Sequence, residues 1–204
     1  MGSRLLAVAH APTAATRTAR FPLDEDELSP VPELGPLSRR LTWATSGPER
    51  RCSTTASVLG VNASGDVAWA DLDAGRWSGK SLEEVVATDG AQALQRWLGD
   101  PAYDGHGGES VAALHERVRG SLDLHEGDGL AIVVTSPAVL RALVVVALGA
   151  PAEAHRQVSA GPLDGVELSR ERPGGSGWSL VRLRPYPQWL QARDLADDRD
   201  GGSA

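Results

Sequence analysis

A chain of 204 residues with a formal net charge of -7 is long enough to bury a substantial core as one α/β domain. Its charges are scattered, with no basic face and no Lys/Arg run, which argues against nucleic acid and membrane as partners and requires a locally positive pocket for any anionic ligand. The single cysteine, Cys52, excludes an internal disulfide, and no Cys/His spacing suggests a metal site.

Taken in order, Leu5 to His10 is a continuous apolar run ending in a lone histidine and reads as a buried parallel strand. Ala11 to Leu41 reads as a long surface loop with at most a short helix near Leu37 to Arg40. Its acidic run, Asp24 to Glu27, reads as a solvated face, and the loop over 21–36 as either a lid or a crossing stiffened by Pro30 and Pro32. Leu41 to Ser46 reads as a second strand, and PERRCSTTASVLG as a helix with Pro48 in its first turn and Gly60 past its end. Val67 to Leu72 suits a short edge strand.

Ser81 and Glu84 form a capping box opening SLEEVVATDGAQALQRWLGD, read as one helix despite Gly90. Ser110 opens a second helix whose Val111, Leu114, Val118 and Leu122 share a face, with His115 and His125 expected on its surface. Leu130 to Val134 is the strongest buried-strand signal, and an apolar helix runs from Pro137 through Leu148. DGVELSR and WSLVRLR flank the turn PGGSG as a hairpin. Residues 1–190 read as one domain and 191–204 as a disordered polar tail. With no membrane-length apolar span and no signal-like N-terminus, a cytoplasmic protein is expected, and the Gly-, Ala- and Arg-rich composition suits a high-GC bacterial source.

Strands alternating with helices predict a three-layer α/β/α sandwich with a mostly parallel central sheet and the hairpin as its antiparallel edge. Ligands in such sheets sit beyond the carboxyl ends of the strands, where His10, Ser46 and Ser136 converge. The sequence lacks GxxxxGK[ST], a GxGxxG after the first strand, and GxSxG, so nucleotide-loop, dinucleotide and nucleophile-elbow chemistries are set aside.

Five stretches then fall into a pattern: AHAPT, TSGPERRCSTTASVLG, ADLDAGRWSGKSLEEV, HGGES and AIVVTSPAVLRAL. In order and spacing they resemble the signatures of the histidine phosphatase superfamily, the group of cofactor-dependent phosphoglycerate mutases and α-ribazole phosphatases. The resemblance implies a phosphoglycerate mutase-like fold, nearer the small bacterial phosphatases than the mutases, whose insertions are missing. It implies His10 as the nucleophile, Asp71 as the proton donor and Arg51 as the phosphate-binding arginine. It puts Thr13 on the motif's threonine, Glu109 in the Gly-Glu-Ser that opens a helix, and Ser136 where the family's second histidine stands. No metal or other cofactor is implied. The expected ligand is a small phosphorylated or other anionic metabolite, with a sugar phosphate, a nucleotide or α-ribazole phosphate all compatible, and the protein is expected as a monomer or homodimer.

Phosphoryl transfer to an imidazole needs a neutral nitrogen aimed at phosphorus, cations on the equatorial oxygens and an acid for the leaving alkoxide. Two departures weaken the cationic part: Ala9 replaces the family's arginine before the nucleophile, and Ser136 replaces the second histidine. Losing two such contacts costs on the order of several powers of ten in rate. Arg17, Arg20, Arg50 and His106 are the candidate replacements. Three functions therefore stay open: a phosphomonoesterase with a degenerate phosphate pocket working through a phosphohistidine, a pseudophosphatase that binds an anionic ligand or a partner protein, and a repurposed pocket using His10 as a general base. Trp77 reads as a packing residue and Cys52 as a small core residue.

Overall fold

The computed structural model describes residues 2–24, 27–30, 36–37, 40–125, 127–171 and 177–185. Six strands form one sheet: β1 (Ser3–Ala9), β2 (Trp43–Ser46), β3 (Ser64–Gly65), β4 (Gly129–Thr135), β5 (Gly165–Arg170) and β6 (Ser179–Arg184). Their order is β3-β2-β4-β1-β5-β6, with β1, β2, β3 and β4 parallel and the last two antiparallel. This is the mixed sheet, flanked by helices, that the alternation of elements predicts.

The apolar runs of β1 and β4 are continuous because both of their faces are covered. Leu5, Ala7, Ala131 and Val133 pack with α5 (Val111–Leu124) and α6 (Pro137–Ala147), while Leu6, Val8, Ile132 and Val134 pack with Cys52, Ala56 and Leu59 of α2 (Arg50–Val58) and its C-cap. Alternate residues thus feed opposite layers, the period expected of a strand buried on both sides.

Several elements differ from expectation, each for a local reason. The first helix, α1, lies at Ala14–Arg17, closed by a Thr13/Thr16 capping box, within what reads as loop. The helix expected near Leu37 to Arg40 falls partly outside the described residues, as do the acidic run and the PGGSG turn, and the tail lies wholly outside them. Val67 to Leu72 is not a strand: Asp66 caps a 3-10 turn at Val67–Trp69, and the edge strand is β3, just before it. The helix read from Ser81 onward breaks in two at Gly90, whose φ of 87° ends α3 (Leu82–Asp89) and starts α4 (Ala91–Gly99). His115 is buried rather than on the surface, bonded to the equally buried His155 across 2.9 Å, and His125 is half-buried beside Trp43 and Trp178.

No helix among the described residues is long and apolar enough to cross a membrane.

Candidate active site

The carboxyl ends of β2, β4 and β1 are neighbours, so the residues that follow them, Gly47, Ser136 and His10, meet along one edge of the sheet. His10 N–H donates to the Thr135 carbonyl at 2.7 Å, and the next amide, Ala11 N–H, donates to Thr55 Oγ1 at 2.9 Å. Thr55 in turn donates to the Arg51 carbonyl one helical turn earlier, which ties the histidine loop to the start of α2. The imidazole is 1% exposed between Ala9 and Ala11, whose methyl side chains leave it room. Its Nδ1 lies 2.8 Å from the Ala11 carbonyl; that contact calls for a proton on Nδ1 and leaves the lone pair on Nε2.

Arg51, 3% exposed, pairs with Asp71 at 2.8 Å and donates its other terminal nitrogen to the Leu23 carbonyl at 2.6 Å. Asp71 N–H donates to Glu49 Oε1 at 2.6 Å, and Glu49 Oε2 approaches the Cys52 thiol. Burial lowers the basicity of the Arg51 guanidinium, but Asp71, Cys52 and Glu49 together outweigh it and hold the group above its ordinary value. The same acids act with burial to push the Cys52 thiol well up, so Cys52 is an inert core thiol. Sequence reasoning missed Glu49. Its signal is weak: a glutamate two residues before Arg51, in a position that reads as helix surface.

A clamp fixes the segment carrying Asp71. Thr135 Oγ1 donates to the Trp69 carbonyl at 2.7 Å, and Arg117 on α5 donates to the carbonyls of Val67, Ala68 and Ala70 within 3.3 Å. Arg117 is itself gripped by both oxygens of Glu109, at 2.9 and 2.7 Å. Glu109 therefore acts on Asp71 through Arg117. Gly75, at φ 54°, lets the next turn press against the loop bearing His106, where a Cβ would stand 2.4 Å from the His106 carbonyl.

Asp71, Arg20, His106 and Arg141 line one cavity of about 260 Å³, whose remaining wall is apolar. Arg141 is the second residue that sequence reasoning missed. It lies one turn beyond Ala138 on α6, and i, i+3 spacing puts both on the cavity side. Burial pulls its guanidinium below the ordinary value, and the charge of Asp71 partly restores it. The signal was available: an arginine five residues past Ser136, inside an otherwise apolar helix.

The other expected site residues are spread more widely. Ser136 is fully buried and caps α6, its Oγ accepting the Val139 N–H. Thr13 is buried and caps α1, and Arg17 is exposed in that helix's last turn. Among the proposed replacement cations, Arg50 is exposed, whereas Arg20 lines the Asp71 cavity with its guanidinium held by both Glu84 oxygens and the Gly79 carbonyl. His106 is 1% exposed and packs on Trp77, which is fully buried as expected of a packing residue.

Residues 7–184 match the histidine phosphatase superfamily (branch 1), and the chain belongs to that family. Among solved structures, it is similar in fold to a mycobacterial glucosyl-3-phosphoglycerate phosphatase at 22% identity and a TM-score of 0.73, with 89% of this chain and 98% of that one covered. It is equally similar to the α-ribazole phosphatase of Shigella flexneri, at 15% identity and TM-score 0.73 over 89% and 96% of the two chains. A phosphoserine phosphatase mutant from Entamoeba histolytica, in complex with phosphoserine, aligns at 15% identity and TM-score 0.72 over the same shares. No curated protein sequence matches.

Proposed function

We propose that the protein hydrolyses a small phosphomonoester through a phosphohistidine at His10. The observation that carries this reading is the tautomer set by the Ala11 carbonyl, which leaves Nε2 as the nucleophilic nitrogen of an imidazole held at the strand edge that Ser136 shares. In the first step Nε2 attacks phosphorus, the bond to the leaving oxygen breaks, and the Asp71 carboxyl gives that oxygen its proton. In the second step Asp71 takes a proton from water, the water oxygen bonds to phosphorus, and His10 leaves as neutral imidazole with inorganic phosphate as the product.

The phosphate takes its positive contacts from Arg51 and Arg141, with the Ser136 hydroxyl and the amino end of α6 completing the cradle. A phosphate arriving at Arg51 competes with Asp71 for the guanidinium. The carboxyl released from its ion pair is then free to meet the leaving oxygen. Arg141 in this role offsets part of what Ala9 and Ser136 remove. His106 lines the Asp71 cavity without a chemical step of its own, and Thr13 and Arg17 serve α1 rather than the phosphate.

A second reading has its own support: Arg51 is closed on Asp71, and the family's arginine and second histidine are absent, as in a protein that binds an anion without turnover. Assays of a phosphomonoester panel with the native protein and with His10→Ala separate the two. Hydrolysis by the native protein alone supports the phosphatase. Activity unchanged in His10→Ala removes the nucleophile, and no activity in either, with phosphate binding that depends on Arg51, favours the binding protein.

A further inference from the structure

The cavity beside Asp71 has a construction that a phosphate site does not need. Phe21, Leu72, Leu82, Trp97 and Ala138 supply an apolar wall, and its volume of about 260 Å³ suits one or two fused rings. The aromatic part is held in place: Phe21 meets Trp97 edge-on with centroids 5.2 Å apart, and the Arg156 guanidinium lies 4.0 Å from the Trp97 ring centre. Leu82 remains 44% exposed at the start of α3, where a polar residue would serve the helix equally well.

His106 adds a polar mark to this wall. Its Nδ1 accepts the Gly108 N–H at 3.1 Å, so the neutral ring carries its proton on Nε2. That Nε2 is buried and has no hydrogen-bond partner. Burial also lowers the basicity of this imidazole, with Asp73 and Asp104 opposing it and Arg76 adding to it. An unpaired buried donor costs stability, and an acceptor arriving on a ligand recovers it.

We propose that this cavity seats the leaving group of the phosphomonoester, and that the leaving group is an aromatic or heteroaromatic moiety carrying a hydrogen-bond acceptor for His106. The orientation rests on the phosphatase reading: the acid that protonates the leaving oxygen stands beside it, so the group on that oxygen extends into the space Asp71 lines. A sugar or open-chain polyol would set most of its hydroxyls against Phe21, Leu72, Leu82 and Trp97, with polar partners in the wall confined to Asp71, Arg20, His106 and Arg141.

Binding of phosphonates that cannot be hydrolysed tests the pocket independently of catalysis. The probes are naphthylmethylphosphonate, a set of quinolinylmethylphosphonates and 2,3-dihydroxypropylphosphonate, titrated by calorimetry. The naphthyl compound is expected to bind about tenfold or more tightly than the dihydroxypropyl one, and at least one quinoline isomer is expected to bind more tightly still. Trp97→Ala is expected to collapse the naphthyl-to-dihydroxypropyl ratio, and His106→Phe to abolish the quinoline preference. Leu82→Ser, at an exposed position that the fold tolerates, checks the same ratio should Trp97→Ala fail to fold. Equal binding of the probes, or a ratio that survives these variants, overturns the pocket while leaving any measured turnover standing. An intact ratio with no phosphomonoester hydrolysed leaves the ligand class standing and overturns the phosphatase reading instead.

Discussion

Asp71 is where the chemistry is most exposed to a single substitution. Asp71→Asn keeps the shape and one oxygen for Arg51 but cannot deliver a proton. With alkyl phosphates, whose alkoxides need protonation, kcat is expected to fall about 10²- to 10⁴-fold. With an aryl phosphate bearing an acidic leaving group the fall is smaller, and steady-state assays of the two substrates side by side check the difference. At this scale the sequence singles out His10, Arg51 and Asp71 because each belongs to a motif with fixed spacing, and the structure pairs Arg51 with Asp71. Glu49 carries no such mark, and Arg141 only that of an arginine inside an apolar helix, which does not say what it faces. Glu49 reads as helix surface yet is buried against the Asp71 amide, and Arg141 acquires meaning only when α6 packs beside the Asp71 segment. Whether Ala9 and Ser136 leave a working pocket is likewise a matter of which distant side chains converge.

Among the elements, the segment 67–72 differs from the edge strand expected of it. Its short apolar run suits a strand, but its backbone carbonyls are satisfied by Arg117, Thr135 and Ser121 rather than by a neighbouring strand. Arg117→Met removes that clamp and leaves Glu109 without its partner. We expect a loss of about 1–3 kcal/mol in urea denaturation together with a lower kcat, since Asp71 loses its support. A stability loss with kcat unchanged would contradict a positioning role.

The junction of α5 with the 3-10 turn Ala152–Gln157 carries a pH dependence. Burial, then His115, Arg141 and Arg156, pull the His155 imidazole down from 6.5 to about 3, and burial also lowers His115, with Arg119 adding to the effect and Glu116 opposing it. The unfolded chain takes up the His155 proton near 6.5 and the folded chain only at about 3, and His115 shifts in the same direction. The stability that His155 contributes is therefore complete above 6.5 and drains away as pH falls toward 3, by up to about 1.4 kcal/mol per pH unit. Denaturation midpoints measured from about pH 7 down to about pH 5 should fall, and His155→Gln should flatten the decline.

For the whole molecule, the mostly parallel sheet with its antiparallel edge was legible because the central strands are apolar on both faces and helices alternate with them, whereas the strand order comes from the structure alone. Charge was legible only as a total. The net charge of -7 repels an anionic substrate, and a second cavity of about 320 Å³ adjoining Asp71 is lined by Asp24, Glu49 and Asp73 with Arg51 as its cation. Encounter with a phosphomonoester dianion is therefore slowed by the protein's field, and added salt should screen that repulsion. We expect kcat/KM to rise with ionic strength, whereas a fall would mean that the local positive pocket governs approach.

The most direct test of the account is the covalent intermediate itself. Native protein mixed with a phosphomonoester, quenched in alkali and weighed intact should gain the mass of one phosphoryl group, stable in base and lost in acid, and His10→Ala should gain none. Turnover without any such adduct, or an adduct that persists in His10→Ala, would contradict it.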